Sequence, residues 1–339
     1  MSSRAAPIHV SLVAIPESLA FPLTGIYETL QILGQMGSGD IDGPTFKVEI
    51  VGREQCTLQL ATGLPITVQR DFRDVERTDV VIATSMNAGE HNEWVTGRHP
   101  EAVTWLRAMH RRGAVLCSSC TGVLLLAETG LLEGLDATIH WAYAPTFRRN
   151  FPGVRLQLRE VLLTGGARRE FVMAGATSSW QDLVLYLVTR CTGPDAAQAI
   201  GKFMLFQWHA DTQAPYVSFV PPTDHGDAVI REIQGWLAGQ ASSGGPLEEL
   251  VKRSGLSETT FKRRFKHATG YSPLHYVQHL RVEEAKRRLE RTDTPIDEIS
   301  WQVGYENPAF FRRLFKRTTR LTPGEYRRKF RIPEFAKME

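Results

Sequence analysis

Hydrophobic positions change period repeatedly along the first two hundred residues. Residues 8–15 form a β-branched apolar run, the pattern of a strand buried on both faces, and 46–51, 80–83 and 114–117 repeat it. Between these runs, 25–34, 101–112 and 121–129 carry apolar residues at helical spacing. Strand and helix in alternation predict parallel βαβ units, an α/β flavodoxin-like sandwich with helices on both faces of a parallel sheet. Beyond Tyr186 the strand signals fade. Helices are expected at 194–207 and 226–238, around a proline-containing extended passage at 215–222. A joint rich in Gly and Ser, 239–246, then precedes a stretch that reads helical throughout.

That last stretch carries one pattern twice. Leu247, Leu250 and Val251 form an apolar stripe, Gly255 permits a left-handed turn, and Ser257 can cap the next helix. Phe261 and Phe265 share one face of that helix, while Lys262, Arg263, Arg264 and Lys266 surround the rest. Gly304, 49 residues after Gly255, repeats the turn. Asn307 repeats the cap, with Pro308 at the first helical position. Phe311 and Phe315 repeat the inner face, and Arg312, Arg313, Lys316 and Arg317 the basic one. The expected architecture is an all-α domain of two helix-turn-helix units joined by one long helix over 273–290. At ~1.5 Å per residue that helix spans ~27 Å, enough to set two recognition helices about one duplex turn apart.

Charge sharpens the division. The chain is +3 overall, but 242–339 holds 21 Lys+Arg against 13 Asp+Glu, a net of +8, and 1–241 holds 19 against 24, a net of −5. A basic domain beside an acidic one points to a polyanion partner for the basic part, with a solvated helical surface as the plainer alternative. The four cysteines form no disulfide framework, no apolar run is long enough to cross a membrane, and the N-terminus carries no secretory pattern. These features together predict a cytoplasmic, nucleoid-associated protein. No metal-ligand spacing or phosphate-cradling glycine loop stands out, so no cofactor is expected.

One spot in the first part suggests chemistry. Strand 114–117 runs through Ser118, Ser119 and Cys120 into Thr121 and Gly122, then a helix. A cysteine at such a turn projects from the strand end with helix N–H groups behind it, which predicts a lowered thiol pKa. His140 is the candidate base. The alternatives are a small buried residue filling a turn and a core histidine bonded to backbone.

Residues 246–330 resemble the AraC/XylS family of bacterial regulators. The likeness lies in Ser257, Phe261 and Phe265, in Gly270 and Pro273, in Arg281 and Ala285, in Ile299, Val303, Gly304 and Tyr305, and in Phe311, Phe315, Pro323 and Tyr326. Arg320 stands where that family usually has Gly. The resemblance implies double-stranded DNA and RNA polymerase as partners. It places Thr259, Lys262, Arg263, Arg312 and Arg313 toward DNA, with Arg263 and Arg312 favoured for base contact and phosphate contact as the alternative. Residues 8–238 resemble the PfpI-like branch of the class I glutamine amidotransferase-like superfamily, as joined to an AraC-type module in regulators of the GlxA type. Cys120, Thr121 and Gly122, Leu131, Gly134, Ala137, His140 and Trp141 carry that likeness, with Ala174, Gly175, Asp182 and Leu183. It divides the chain into a sensor domain at 1–210, a linker at 211–245 and a DNA-binding domain at 246–332.

Two departures argue against catalysis. Pro22 stands where the superfamily places a carboxylate, with Glu17 out of register, and residues 84–87 replace the Gly-Gly of an oxyanion hole. The expectation is therefore no enzyme, with Cys120 and His140 as vestigial catalytic residues. Cys120, Thr121, His140 and Asn87 would then line an effector pocket. The resemblance implies a nitrogenous metabolite, such as an amino acid or quaternary amine, together with a homodimer and transcription activation. The competing expectation is a cysteine-dependent amidase or protease-like enzyme with a DNA-binding tail.

Overall fold

A computed structural model describes residues 6–36, 45–89, 92–209, 212–239 and 247–333. The chain divides into two compact units, Met1–Gln213 and Ala214–Glu339.

The first unit is built on a seven-stranded sheet. Its strands are β1 (Ile8–Val13), β2 (Phe46–Gly52), β5 (Arg70–Asp71), β6 (Val80–Ala83), β7 (Val115–Ser119), β10 (Leu162–Gly165) and β11 (Phe171–Ala174), in the order β10-β11-β7-β6-β1-β2-β5. A hairpin of β3 (Thr57–Gln59) and β4 (Pro65–Thr67) and a pair of β8 (Asp136–Ala137) and β9 (Arg155–Leu156) lie apart from it. All neighbours run parallel except β10 and β11, so the expected all-parallel sheet carries one antiparallel edge.

Alternating side chains feed two cores. Val13, Val51, Val81, Leu116 and Met173 face one side with α2 (Pro100–Arg111), α3 (Gly122–Glu128) and α4 (Ala144–Asn150). Val10, Leu12, Ile50, Ile82 and Val172 face the other with α1 (Ala20–Met36), α5 (Trp180–Thr192) and α6 (Pro194–Met204). Burial on both faces explains why these strands read as unbroken apolar runs. The strand order reverses at β1, with β2 on one side and β6 on the other, and this opens the crevice where α/β sheets take ligands.

The second unit is helical: α7 (Ala228–Gly239), α8 (Leu247–Ser254), α9 (Glu258–Thr269), α10 (Pro273–Arg291), α11 (Ile296–Gln302), α12 (Pro308–Thr319) and α13 (Pro323–Phe330). It has two cores on one rod. Tyr276 and Val277 in the first half of α10 pack with Leu250, Phe261 and Phe265, and Val282, Ala285 and Leu289 in its second half pack with Ile299, Phe311 and Phe315. The expected linker divides differently. Residues from Ala214 onward belong to the second unit, because α7 buries Ile230, Ile233 and Leu237 against the first of those cores. Of the expected Gly/Ser joint at 239–246, Gly239 ends α7 and 240–246 lie outside the described residues. Among the described residues no helix is long and apolar enough to cross a membrane.

Candidate functional site

In the first unit, β7 ends in a sharp elbow. Cys120 has φ +53°, a left-handed conformation that non-glycine residues seldom adopt, and its N–H donates to Ala174 O at 2.7 Å. The elbow needs Gly122, since a Cβ there would lie 2.0 Å from Ala83 O. Thr177 Oγ1 donates to Cys120 Sγ at 3.5 Å. Burial nonetheless dominates and pushes the thiol pKa up, against hydrogen bonds from Thr177, Thr121 and Ser85 that favour the thiolate. The lowered pKa expected from the turn is therefore reversed. His140 is half-buried, its Nδ1 accepts from Ala142 N–H at 3.2 Å, and burial lowers its pKa. No hydrogen bond joins Cys120 to His140 among the described residues. The elbow holds a neutral thiol and a neutral imidazole rather than an activated pair.

The other residues expected around it have their own partners. Thr121 Oγ1 donates to Met86 O and accepts from Met86 N–H, both at 2.6 Å, so its hydroxyl fastens the chain after β6. Asn87 is exposed, and its Oδ1 accepts from Gly89 N–H at 3.0 Å. The Asn87 N–H, at the place of an oxyanion hole, donates to Glu17 O at 2.8 Å. The Glu17 carboxylate pairs with Arg98 and lies 3.0 Å from His99 Nε2. Pro22 sits in the first turns of α1. Sequence reading missed a cavity of about 300 Å³ at the exits of β1 and β2, beside Ile15, Phe72, Arg53, Arg98 and His99. Cys120, Thr121, His140 and Asn87 do not line it. No periodicity announces such a space, because loops from distant segments form it.

In the second unit the two repeats correspond position by position in caps, turns and buried residues. Ser257 accepts from Thr260 N–H and Asn307 from Phe310 N–H, so both recognition helices are capped as expected. Gly255 and Gly304 have φ +65° and +84°. The four phenylalanines are fully buried. At 100° per residue the face opposite them carries Thr259, Arg263 and Lys266 on α9, and Ala309, Arg313 and Lys316 on α12, all exposed.

Three other cations of these helices are paired within the protein. Arg264 holds Asp227 with two hydrogen bonds of 2.9 and 2.7 Å, which ties α9 to the start of α7. Lys262 pairs with Glu258 on its own helix, and Arg312 with Asp297 on α11. Arg263 and Arg313 make no ion pair among the described residues. Arg312, favoured from sequence for base contact, falls at the phase of Lys262 and pairs with Asp297, whereas Arg313 falls at the phase of Arg263. Pairing with a residue 15 positions earlier leaves no trace in helical spacing.

Comparison with known proteins accounts for both halves. Residues 28–156 match the DJ-1/PfpI family and 250–329 a helix-turn-helix domain. The HTH-type transcriptional regulator CdhR of Pseudomonas aeruginosa is 29% identical over 67% of this chain and 67% of its own. The HTH-type transcriptional regulator GlxA of Rhizobium meliloti is 27% identical over 71% of this chain and 73% of its own. A protein from Vibrio parahaemolyticus of known crystal structure superposes with TM-score 0.51 at 19% identity, covering 58% of this chain and 99% of that one, a likeness of fold alone. The chain thus carries a DJ-1/PfpI domain ahead of an AraC-type helix-turn-helix domain, and the relatives it resembles are HTH-type transcriptional regulators.

Proposed function

We propose that this chain is a sequence-specific DNA-binding regulator whose first unit senses a small nitrogenous metabolite. Carrying this reading is the twofold occurrence of one surface, a free arginine at the same phase of two capped helices on one rod. Arginine at that phase suits bidentate contact with guanine in the major groove, and the surrounding Lys and Arg suit phosphates. The reading extends to a cytoplasmic homodimer that activates transcription with RNA polymerase. The metabolite acts by binding two states of the chain unequally.

A hydrolase reading has less support. Cys120 is held as a buried neutral thiol, His140 bonds to backbone, and no carboxylate is among the groups that shift the thiol's pKa. Fluorescence anisotropy on duplexes selected from a random pool tests the DNA claim. Arg263→Ala and Arg313→Ala are each expected to weaken specific binding by about 1–3 kcal/mol. Unchanged affinity in both would refute the assignment. A thermal-shift screen against amino acids and quaternary amines tests sensing, and stabilisation by none of them would count against it.

A further inference from the structure

The two recognition helices differ where they begin. Thr259 on α9 corresponds to Ala309 on α12, and Thr260 to Phe310. In α12 the opening turn, residues 308–311, carries no polar side chain, and the cap before it offers only the Asn307 amide NH2. Pro308 has no N–H, and Asn307 Oδ1 is already taken by Phe310 N–H at 3.0 Å. Ala309 is exposed on the face opposite Phe311 and Phe315. The Phe310 ring is 39% exposed and lies against Tyr305, with centroids 5.7 Å apart. The next polar group on that face is Arg313, one turn later.

The N-terminal residues of a recognition helix are those that meet base edges. An apolar surface there has one base feature to discriminate, the C5-methyl of thymine, which alone among major-groove groups gains by contact with carbon. We propose that Ala309, flanked by Phe310, reads a thymine methyl, so the half-site under α12 is specified by shape and apolar contact. The half-site under α9 is specified through the hydroxyls of Thr259 and Thr260 and through Arg263. This inference rests on the DNA-binding reading above.

The test uses the full chain and a duplex selected from a random pool. Footprints of Arg263→Ala and Arg313→Ala assign the two half-sites. Each thymine is then replaced singly by deoxyuridine, which removes only the methyl. At least one replacement under α12 is expected to weaken binding about three- to fivefold, the worth of one buried methyl. Ala309→Ser, which keeps the size and adds a hydroxyl, should bind the thymine and uracil duplexes within about twofold of each other. Equal affinity for every uracil duplex would overturn the proposal, as would a penalty that Ala309→Ser leaves intact. A chain that selects no duplex, or that is indifferent to both arginine substitutions, would bring down the DNA reading itself. A normal arginine response without methyl sensitivity would bring down this inference alone.

Discussion

A single residue can be placed correctly in sequence and still behave unlike its type. Cys120 sits at the elbow its neighbours predict, yet burial holds its thiol neutral. Iodoacetamide at pH 7.5 should modify native Cys120 far more slowly than a free thiol, with rapid labelling only in denaturant; fast native labelling would contradict the burial argument. The pH dependence follows with a definite sign. Cys117 and Cys120 both have raised pKa values in the folded chain, whereas unfolded thiols ionise near about 8.5. Their contribution to stability is fully present below that pH and is lost as pH rises above it. Urea midpoints should therefore fall between pH 7.5 and 10, and less steeply in Cys120→Ala. Arg320 closes α12 with φ +65°, in place of the glycine that closes α9 at Gly270. Arg320→Gly should raise stability by on the order of 1 kcal/mol in a thermal melt. The caps Ser257 and Asn307, the two glycine turns and the paired phenylalanines were legible because each depends on residues at most a few positions away. The state of Cys120 and the diversion of Arg312 to Asp297 were not, since both are set by distant segments.

At the scale of elements, the stretch before α8 shows how packing overrides local signals. Pro215, Pro221 and Pro222 mark 215–222 as an extended connector. The segment nevertheless straps the rod. Tyr216 meets Phe330 of α13 at 5.0 Å, Val217 O accepts from the buried Lys286 Nζ at 2.7 Å, and Phe219 stacks on His279 at 4.8 Å beside Tyr271 and Tyr276. It touches both halves of α10 and thereby helps fix the spacing of the two helix-turn-helix units. Helix α7 is held in the same way. Gln234 bonds Pro222 O, the Tyr276 hydroxyl and His225 Nε2, while Asp227 grips Arg264. Periodicity identified α7 as a helix, but not which core it fills, because a helix and its partner share no local pattern. Ile233→Ala should destabilise the second unit by about 2–5 kcal/mol in urea unfolding. A loss within experimental error would mean that α7 is peripheral.

Across the whole molecule, alternation of period gave the layered α/β unit and twofold repetition gave the helical one. The antiparallel β10–β11 edge escaped because Leu162–Gly165 and Phe171–Ala174 hold one β-branched residue each, whereas Val80–Ala83, equally short but legible, holds three. The central claim is that two basic faces on one rod grip a single duplex together. Hydroxyl-radical footprinting of the full chain on its selected duplex measures this most directly. The account predicts two protected patches about one helical turn, ~34 Å, apart on one side of the DNA, with Arg263→Ala weakening one patch and Arg313→Ala the other. One patch alone, or both substitutions weakening the same patch, would contradict it.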